Sequence, residues 1–348
     1  MRAYTRRRLL ASLKLGVAAV PIWVVLALGH GRPFGPGTVM VPLGMGLSLG
    51  IAELFFLRNW LKGVSFLSHL AAKSVAFVAV MYVAFAILNV LDVLIDGITW
   101  QEYARVLTSG DVLLGMIEGL GLIVFLLFFV HLDRLLGPGV LLGYMTGRYH
   151  RPREESRVFM FLDLKGSTDL ADEMEASRYF GFLRQYFMEM SEPILETDAE
   201  IYQYVGDEIV LSWTMKSGLE EASCVRVFFL IEEQMRAQRE RFLADYGAVP
   251  DFKAGVHAGT VITAQIGEIK SEIVYNGDIL NTTARIQATC NDLDRRLLVS
   301  ASLMERLTLG PEYAVEDMGA VSLRGKGEPV SLYSVTRADE VVPAALTR

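Results

Sequence analysis

Cysteine and histidine are scarce in this chain, at two and five among 348 residues. Two cysteines, Cys224 and Cys290, cannot supply a disulfide framework or a Cys-based metal site, and both fall in the second half, where reduced thiols are expected. No Ser-His-Asp or Cys-His arrangement stands out, so covalent catalysis is not indicated. A basic excess is also missing. Thirty-three Lys and Arg against 40 Asp and Glu give a formal charge of −7, and no basic stripe is interleaved with aromatics, which argues against a nucleic-acid partner. Repeats and low-complexity tracts are absent from the sequence.

Apolar residues, in contrast, reach 52%, and the mean hydropathy is +0.35, high for a soluble enzyme. They concentrate in four segments, approximately Leu9–Leu28, Val39–Leu57, Val64–Leu91 and Val112–Leu132. Each approaches or exceeds the ~20 residues needed to cross a bilayer as a helix. Their length and repetition exclude a simple cleaved signal peptide. The expectation is a four-helix transmembrane domain over 1–136. Arg2, Arg6, Arg7 and Arg8 precede the first segment, Arg58 and Lys62 follow the second, and Arg134, Arg148, Arg151 and Arg153 follow the fourth. The intervening loops hold Arg32 on one side and Asp92, Asp96, Glu102, Arg105 and Asp111 on the other. The positive-inside rule therefore puts both termini in the cytoplasm of a multi-pass inner (plasma) membrane protein. Glu53 and Glu118 interrupt the apolar segments close enough to their ends to reach an interface, and His69 and His131 sit near the cytoplasmic ends. Haem ligation by those two histidines has no second motif behind it.

The second half is a different material. A hydrophobic run, Val158 to Leu162, delivers Asp163 into the turn Leu164-Lys165-Gly166-Ser167-Thr168. A second carboxylate follows in Gly206-Asp207-Glu208, which separates two short apolar runs as a hairpin turn would. A lone strand-end Asp is ordinarily a turn residue or helix cap, so other residues must decide. Two such carboxylates suit hard divalent cations, and paired metals about 3.5–4 Å apart recur in phosphoryl chemistry. Further on, Asn281 and Arg285 are four apart in a helix predicted from about Gly277, so an amide and a guanidinium project from one face. A guanidinium can grip two phosphate oxygens at once.

Taken in order, Phe161-Leu-Asp163-Leu-Lys-Gly-Ser-Thr168, Tyr204-Val-Gly206-Asp207-Glu208, Gly277-Asp-Ile-Leu-Asn281-Thr-Thr-Ala-Arg285 and Leu323-Arg-Gly-Lys326-Gly-Glu-Pro-Val-Ser-Leu-Tyr333 resemble the class III nucleotidyl cyclases. The resemblance covers roughly 155–337. It implies an α+β catalytic domain with a ferredoxin-like core, expected over 157–337, and a two-metal conversion of ATP to 3′,5′-cyclic AMP and pyrophosphate with two Mg²⁺ or Mn²⁺ per site. Asp163 and Asp207 then hold the metals, Asn281 orients the ribose, Arg285 neutralises phosphate, and Lys326 or Arg324 binds the triphosphate. The turn amides of residues 164–168 could add a phosphate nest. The implied assembly is a homodimer whose sites are shared between chains.

At the two positions where many members select adenine, this chain has Gln203 and Val274. Gln can donate and accept, whereas the Val side chain can do neither. ATP is the expected substrate, with guanylate cyclase or a degenerate nucleotide-binding regulatory module as alternatives. Between the halves, Gly137-Pro-Gly139 can end a helix, and 137–156 reads as a linker and transducer. Predicted catalytic-domain elements are a strand at 157–163, helices within 168–197, a hairpin at 200–214, a helix at 218–244, strands at 251–260 and 272–276, a helix at 278–289, a strand at 296–300 and short β elements to about 336. Residues 338–348 read as a tail. The membrane half offers either a plain anchor or a receptor for an unidentified membrane or extracellular ligand.

Overall fold

The computed structural model describes residues 13, 17, 19–25, 28–29, 36–55, 65–95, 99–137 and 140–340. By its contacts the chain divides into two compact units, Met1–Leu136 and Gly137–Arg348.

The first unit contains α1 (Pro36–Phe55), α2 (Phe66–Ile95), α3 (Trp100–Leu107) and α4 (Gly110–Leu136). Half of the first predicted segment, together with Arg2, Arg6, Arg7, Arg8, Arg32, Arg58 and Lys62, lies outside the described residues. Among the described residues two stretches are long and apolar enough to cross a membrane, Phe66–Val83 with mean hydropathy 1.6 and Trp100–Asp133 with 2.5. Met45 and Leu49 of α1, Phe77 of α2 and Leu122, Ile123, Leu126 and Leu127 of α4 form a buried apolar seam. Many outward positions of α2 and α4 are apolar as well, among them Val75, Val80, Ile87, Leu113, Ile117 and Phe128. The acidic loop expected before α4 holds a helix instead, α3. Its start is fixed by a capping box in which Thr99 Oγ1 accepts from the Glu102 amide and the Glu102 carboxylate accepts from the Thr99 amide. The Tyr103 hydroxyl ties α3 to the Ala86 carbonyl of α2 at 3.0 Å. His69 and His131 line one small cavity, about 30 Å³, with Phe66 and Lys73.

In the second unit the segment read as linker is partly ordered into α5 (Val140–Met145), and β1 (Arg153–Leu164) starts four residues before its predicted position. There follow α6 (Ser167–Glu173), α7 (Ala176–Glu189), α8 (Ser191–Glu196), β2 (Glu200–Val205) and β3 (Glu208–Thr214). The predicted helix at 218–244 is three pieces, α9 (Met215–Leu219), α10 (Ser223–Ala237) and α11 (Arg239–Tyr246). Glu221 and Ala222 break it with φ of 49° each, a left-handed conformation that no glycine announces. The chain continues through β4 (Phe252–Ile266), β5 (Glu272–Asn276), α12 (Asp278–Asp292), β6 (Leu297–Ser300), α13 (Ala301–Met304), β7 (Tyr313–Val321) and β8 (Val330–Arg337).

The strands form one mixed sheet in the order β2-β3-β1-β4-β6-β8-β7, with β5 added to β4 and β4–β6 as its parallel pair. Its β2-β3-β1-β4 part, with helices between β1 and β2 and between β3 and β4, has ferredoxin-like connectivity. Period-two alternation gives β1 two different faces. Val158, Met160, Leu162 and Leu164 join a core with Phe182 and Tyr186 of α7 and Val225 and Phe228 of α10. Phe159, Phe161 and Asp163 take the opposite face, where Phe159 packs with Ile279 of α12. That helix lies very close to β4. A Cβ on Gly255 would stand 2.4 Å from the Gln287 nitrogen and 2.9 Å from the Thr283 oxygen, so only glycine permits this approach.

Candidate active site

Asp163 is the penultimate residue of β1, a central strand held by β3 on one side and β4 on the other. Asp207 occupies the tight turn between β2 and β3, after Gly206 with φ of 64°. Because β3 pairs with β1 in antiparallel register from Leu162↔Ile209, the turn brings Asp207 to the end of β1 beside Asp163. Burial first, and then the neighbouring Asp207 charge, raise the Asp163 pKa, against a smaller opposite pull from Lys253. Glu208 responds in the same way, pushed up to about 7 by burial and by the two aspartates.

Oδ2 of Asp207 is buried and has no hydrogen-bond partner among the described residues. The hydroxyl of Tyr186, on a fully buried ring, is likewise unpartnered among the described residues, and burial and then the charges of Asp163 and Asp207 raise its pKa. An acceptor-only oxygen in that position is poorly solvated, and a second carboxylate alongside makes it worse. A divalent cation answers both problems, so the pair fits a hard metal. Among the described residues no group of three or more His, Cys, Asp or Glu could hold a metal. Two carboxylates with substrate phosphates completing the shell are a usual Mg²⁺ arrangement.

Two residues of this site were not singled out from sequence. Lys253 sits opposite Asp163 in the β1–β4 register and places Nζ 3.5 Å from Oδ2, with its side chain 9% exposed. Gln287 of α12 donates Nε2 to the same oxygen at 3.1 Å. Neither was legible without strand register and the seating of α12.

Around the turn after β1, the Lys165 amide donates to the Asp251 carbonyl at 2.8 Å and is therefore not a phosphate donor. The Leu164 side chain is 2% exposed within the helical layer and cannot touch a ligand. Gly166, with φ of 66°, starts α6 without a side-chain cap, which leaves the amides of Ser167 and Thr168 in its uncapped first turn.

Asn281 and Arg285 share α12, Asn281 exposed and Arg285 half-buried. Nη1 of Arg285 donates to the Gly325 carbonyl at 3.2 Å. Lys326, in the same turn, pairs with the Asp278 carboxylate at the first residue of α12, whereas Arg324 is exposed. These groups gather about the N-terminal half of α12. Among the described residues no hydrogen bond or ion pair joins Asn281, Arg285 or Lys326 to Asp163 or Asp207. His257 lies close by, its Nδ1 2.7 Å from Ser300 Oγ, and its pKa is lowered to about 4 by burial and then by Lys326. Gln203 is exposed on β2 and Val274 half-buried on β5.

A half-buried carboxylate pair at one end of a ferredoxin-like sheet, with an Asn/Arg helix across its face, defines the class. The chain belongs to the family described as the adenylate and guanylate cyclase catalytic domain, whose model matches residues 150–336. It is similar to adenylate cyclase 2 of Rhizobium meliloti (strain 1021), 39% identical over 211 residues, covering 61% of this chain and 58% of that one. An adenylate cyclase of Anabaena cylindrica is 25% identical over 185 residues, covering 51% of this chain and 36% of its own. The chain thus spans less than two thirds of these relatives. Among solved structures, a bacterial light-regulated adenylyl cyclase superposes with a TM-score of 0.52 at 19% identity, covering 62% of this chain and 64% of that one, a likeness of fold.

Proposed function

We propose that this chain is a membrane-anchored adenylate cyclase, converting ATP to 3′,5′-cyclic AMP and pyrophosphate at sites shared by two copies of the chain. The observation that carries the reading is the convergence of Asp163 and Asp207, with a buried and unpartnered Asp207 oxygen, at the end of the sheet. Family membership and the two relatives named adenylate cyclase support it.

In this reading Asp163 and Asp207 hold Mg²⁺ or Mn²⁺. Bound there, such ions supply charge for the triphosphate and lower the pKa of the ribose 3′-hydroxyl. Asn281 orients the ribose so that its 3′-oxygen lies in line with the α-phosphorus. Arg285 neutralises the negative charge that spreads over the phosphates as pyrophosphate departs. The hydrogen bond from Arg285 to Gly325 and the Lys326–Asp278 pair make the loop and helix one unit, so that Arg285 and Lys326 are presented together. The first-turn amides of α6 receive phosphate oxygens. Gln203 and Val274 face the base, Gln203 through hydrogen bonds and Val274 through shape.

That no hydrogen bond or ion pair among the described residues joins Asn281, Arg285 or Lys326 to the aspartates of the same chain is consistent with a two-fold assembly in which each site draws on both chains. Apolar outward faces on α2 and α4 support insertion in a bilayer, with the catalytic unit in the cytoplasm. Purified full-length protein incubated with ATP or GTP and each metal, with products identified by mass, tests the reading. Cyclic AMP and pyrophosphate are expected from ATP. Cyclic GMP alone would make the chain a guanylate cyclase, and no cyclic nucleotide with Mn²⁺ would make it a nucleotide-binding regulatory module.

A further inference from the structure

The seventeen residues from Gly137 to Arg153 contain Arg148, Arg151, Arg153 and His150 but no Asp or Glu, in a chain whose net charge is −7. Within this run α5 presents Leu142 and Met145, three apart and so on one helical face, at 65% and 69% exposure. The run is fastened to the β4–β5 hairpin of the same unit. The Tyr149 carbonyl accepts from the Gln265 amide at 3.0 Å, and the Tyr144 hydroxyl donates to the Ser271 carbonyl at 3.2 Å. The hairpin turns sharply at Gly267, whose φ is 88° and where a Cβ would stand 2.1 Å from the Lys270 oxygen. Beyond that glycine the tip holds Ile269 fully in solvent, with Ile266 at 55% exposure beside it. Lys270 is also exposed and pairs with Glu272, and Arg148 also touches Glu155. The fastened α5 and hairpin tip together expose four large apolar side chains next to a run with three arginines and no acid, with Glu268 and Glu272 as the neighbouring acids at the tip.

Isolated exposed apolar residues need no explanation, but four on one fastened surface do. A lipid surface fits their chemistry. Apolar side chains enter the headgroup and acyl boundary, and nearby Lys and Arg are attracted to an anionic leaflet. Continuity points the same way, since only residues 137–139 separate α5 from the apolar helix ending at Leu136. We propose that α5 and the β4–β5 hairpin tip form a docking surface for the anionic lipid headgroup layer, holding the catalytic unit against the membrane by Leu142, Met145, Ile266 and Ile269. The proposal rests on the membrane reading above and goes beyond it, because an anchor alone does not require the catalytic unit to touch lipid.

The test uses the full chain in phosphatidylcholine vesicles with and without phosphatidylglycerol. Both native cysteines are buried, so a fluorophore attaches selectively at Ile269→Cys, and Glu305→Cys serves as an exposed control. Brominated lipid should quench the label at position 269 several-fold more than at 305. That quenching should rise with phosphatidylglycerol and fall in the Arg148→Gln/Arg151→Gln background. Equal quenching at both positions, in protein that floats with the vesicles, overturns the docking surface alone. Failure to float overturns the membrane reading and the docking surface together. Spin labels at 269 that broaden one another without lipid quenching assign the surface to a second copy of the chain and overturn the proposal.

Discussion

Nε2 of Gln287 reaches Oδ2 of Asp163 at 3.1 Å, joining the helix that bears Asn281 and Arg285 to the strand that bears a candidate metal carboxylate. The bond fixes which Asp163 oxygen turns away from Lys253 and Gln287, and therefore which one is offered to a cation. Replacing Gln287 by Leu keeps much of the volume and removes the donor. Supporting partners of metal ligands are typically worth about 10–100-fold in metal affinity or activity. The expected result is a metal requirement raised by about that factor, read as the Mn²⁺ concentration giving half-maximal turnover, with Gln287→Glu no better.

Asp163→Ala or Asp207→Ala should abolish cyclisation and leave the fold intact. Each removes a proposed metal ligand, and each also relieves repulsion between two close carboxylates. Without metal, the thermal midpoint of the catalytic unit in either variant should equal or exceed wild type, and the upward shift on adding Mn²⁺ should vanish. A large loss of metal-free stability would show that the pair is structural instead.

At Gly255, substitution by Ala puts a methyl group against the backbone of α12, where nothing flexible can yield. Overpacking of this kind costs about 1–3 kcal/mol or more. Gly255→Ala should lower thermal stability, free the amides of α12 to hydrogen exchange, and reduce turnover by displacing Asn281 and Arg285 together.

His257 gives a pH dependence whose sign follows from its lowered pKa of about 4. Between about pH 6.5 and 4 the unfolded chain binds a proton at this residue that the folded chain refuses, so stability falls as pH drops through that window. Above about pH 6.5 the imidazole is neutral in both states and contributes no slope. His257→Asn should flatten the acid side of a stability-against-pH curve, with the difference from wild type widening from pH 6.5 toward 4. Thermal denaturation at a series of pH values measures it.

Sharing of sites between chains predicts complementation. Mixing inactive Asp163→Ala chains with inactive Arg285→Ala chains concentrates both lesions in one site of a mixed dimer and leaves the other whole. Random pairing makes about half the dimers mixed, each with one good site of two, so activity should recover to roughly a quarter of wild type. No recovery, with mixed dimers confirmed by differential tags, would falsify the shared site.

Much of this was legible in the sequence where local chemistry governs. The β2–β3 hairpin around Gly206, the strand leading to Asp163 and the helix after Gly277 follow from alternation and turn residues read in place. The break at Glu221 and Ala222 was not, because neither residue has an intrinsic preference for the left-handed region that tertiary packing imposes on them. Lys253 and Gln287 escaped for another reason. Asp163 and Lys253 are 90 residues apart in sequence, and only the antiparallel register of β1 on β4 makes them neighbours. The segment 137–156 read as a linker and transducer, and its attachment to the catalytic unit was not legible because its hydrogen bonds go to the distant positions Gln265 and Ser271.

The two-faced character of β1 also proofreads assembly. Twelve consecutive pairs with β4 set its register, and a slip of one residue would exchange Asp163 for a leucine on the outer face. The same slip would thrust the carboxylate among Phe182, Tyr186 and Phe228, where no cation could reach it. A misaligned chain would thus be penalised at the core before it could be wrong at the proposed site, so the acid proposed to hold the metal also polices the alignment of the strand that carries it.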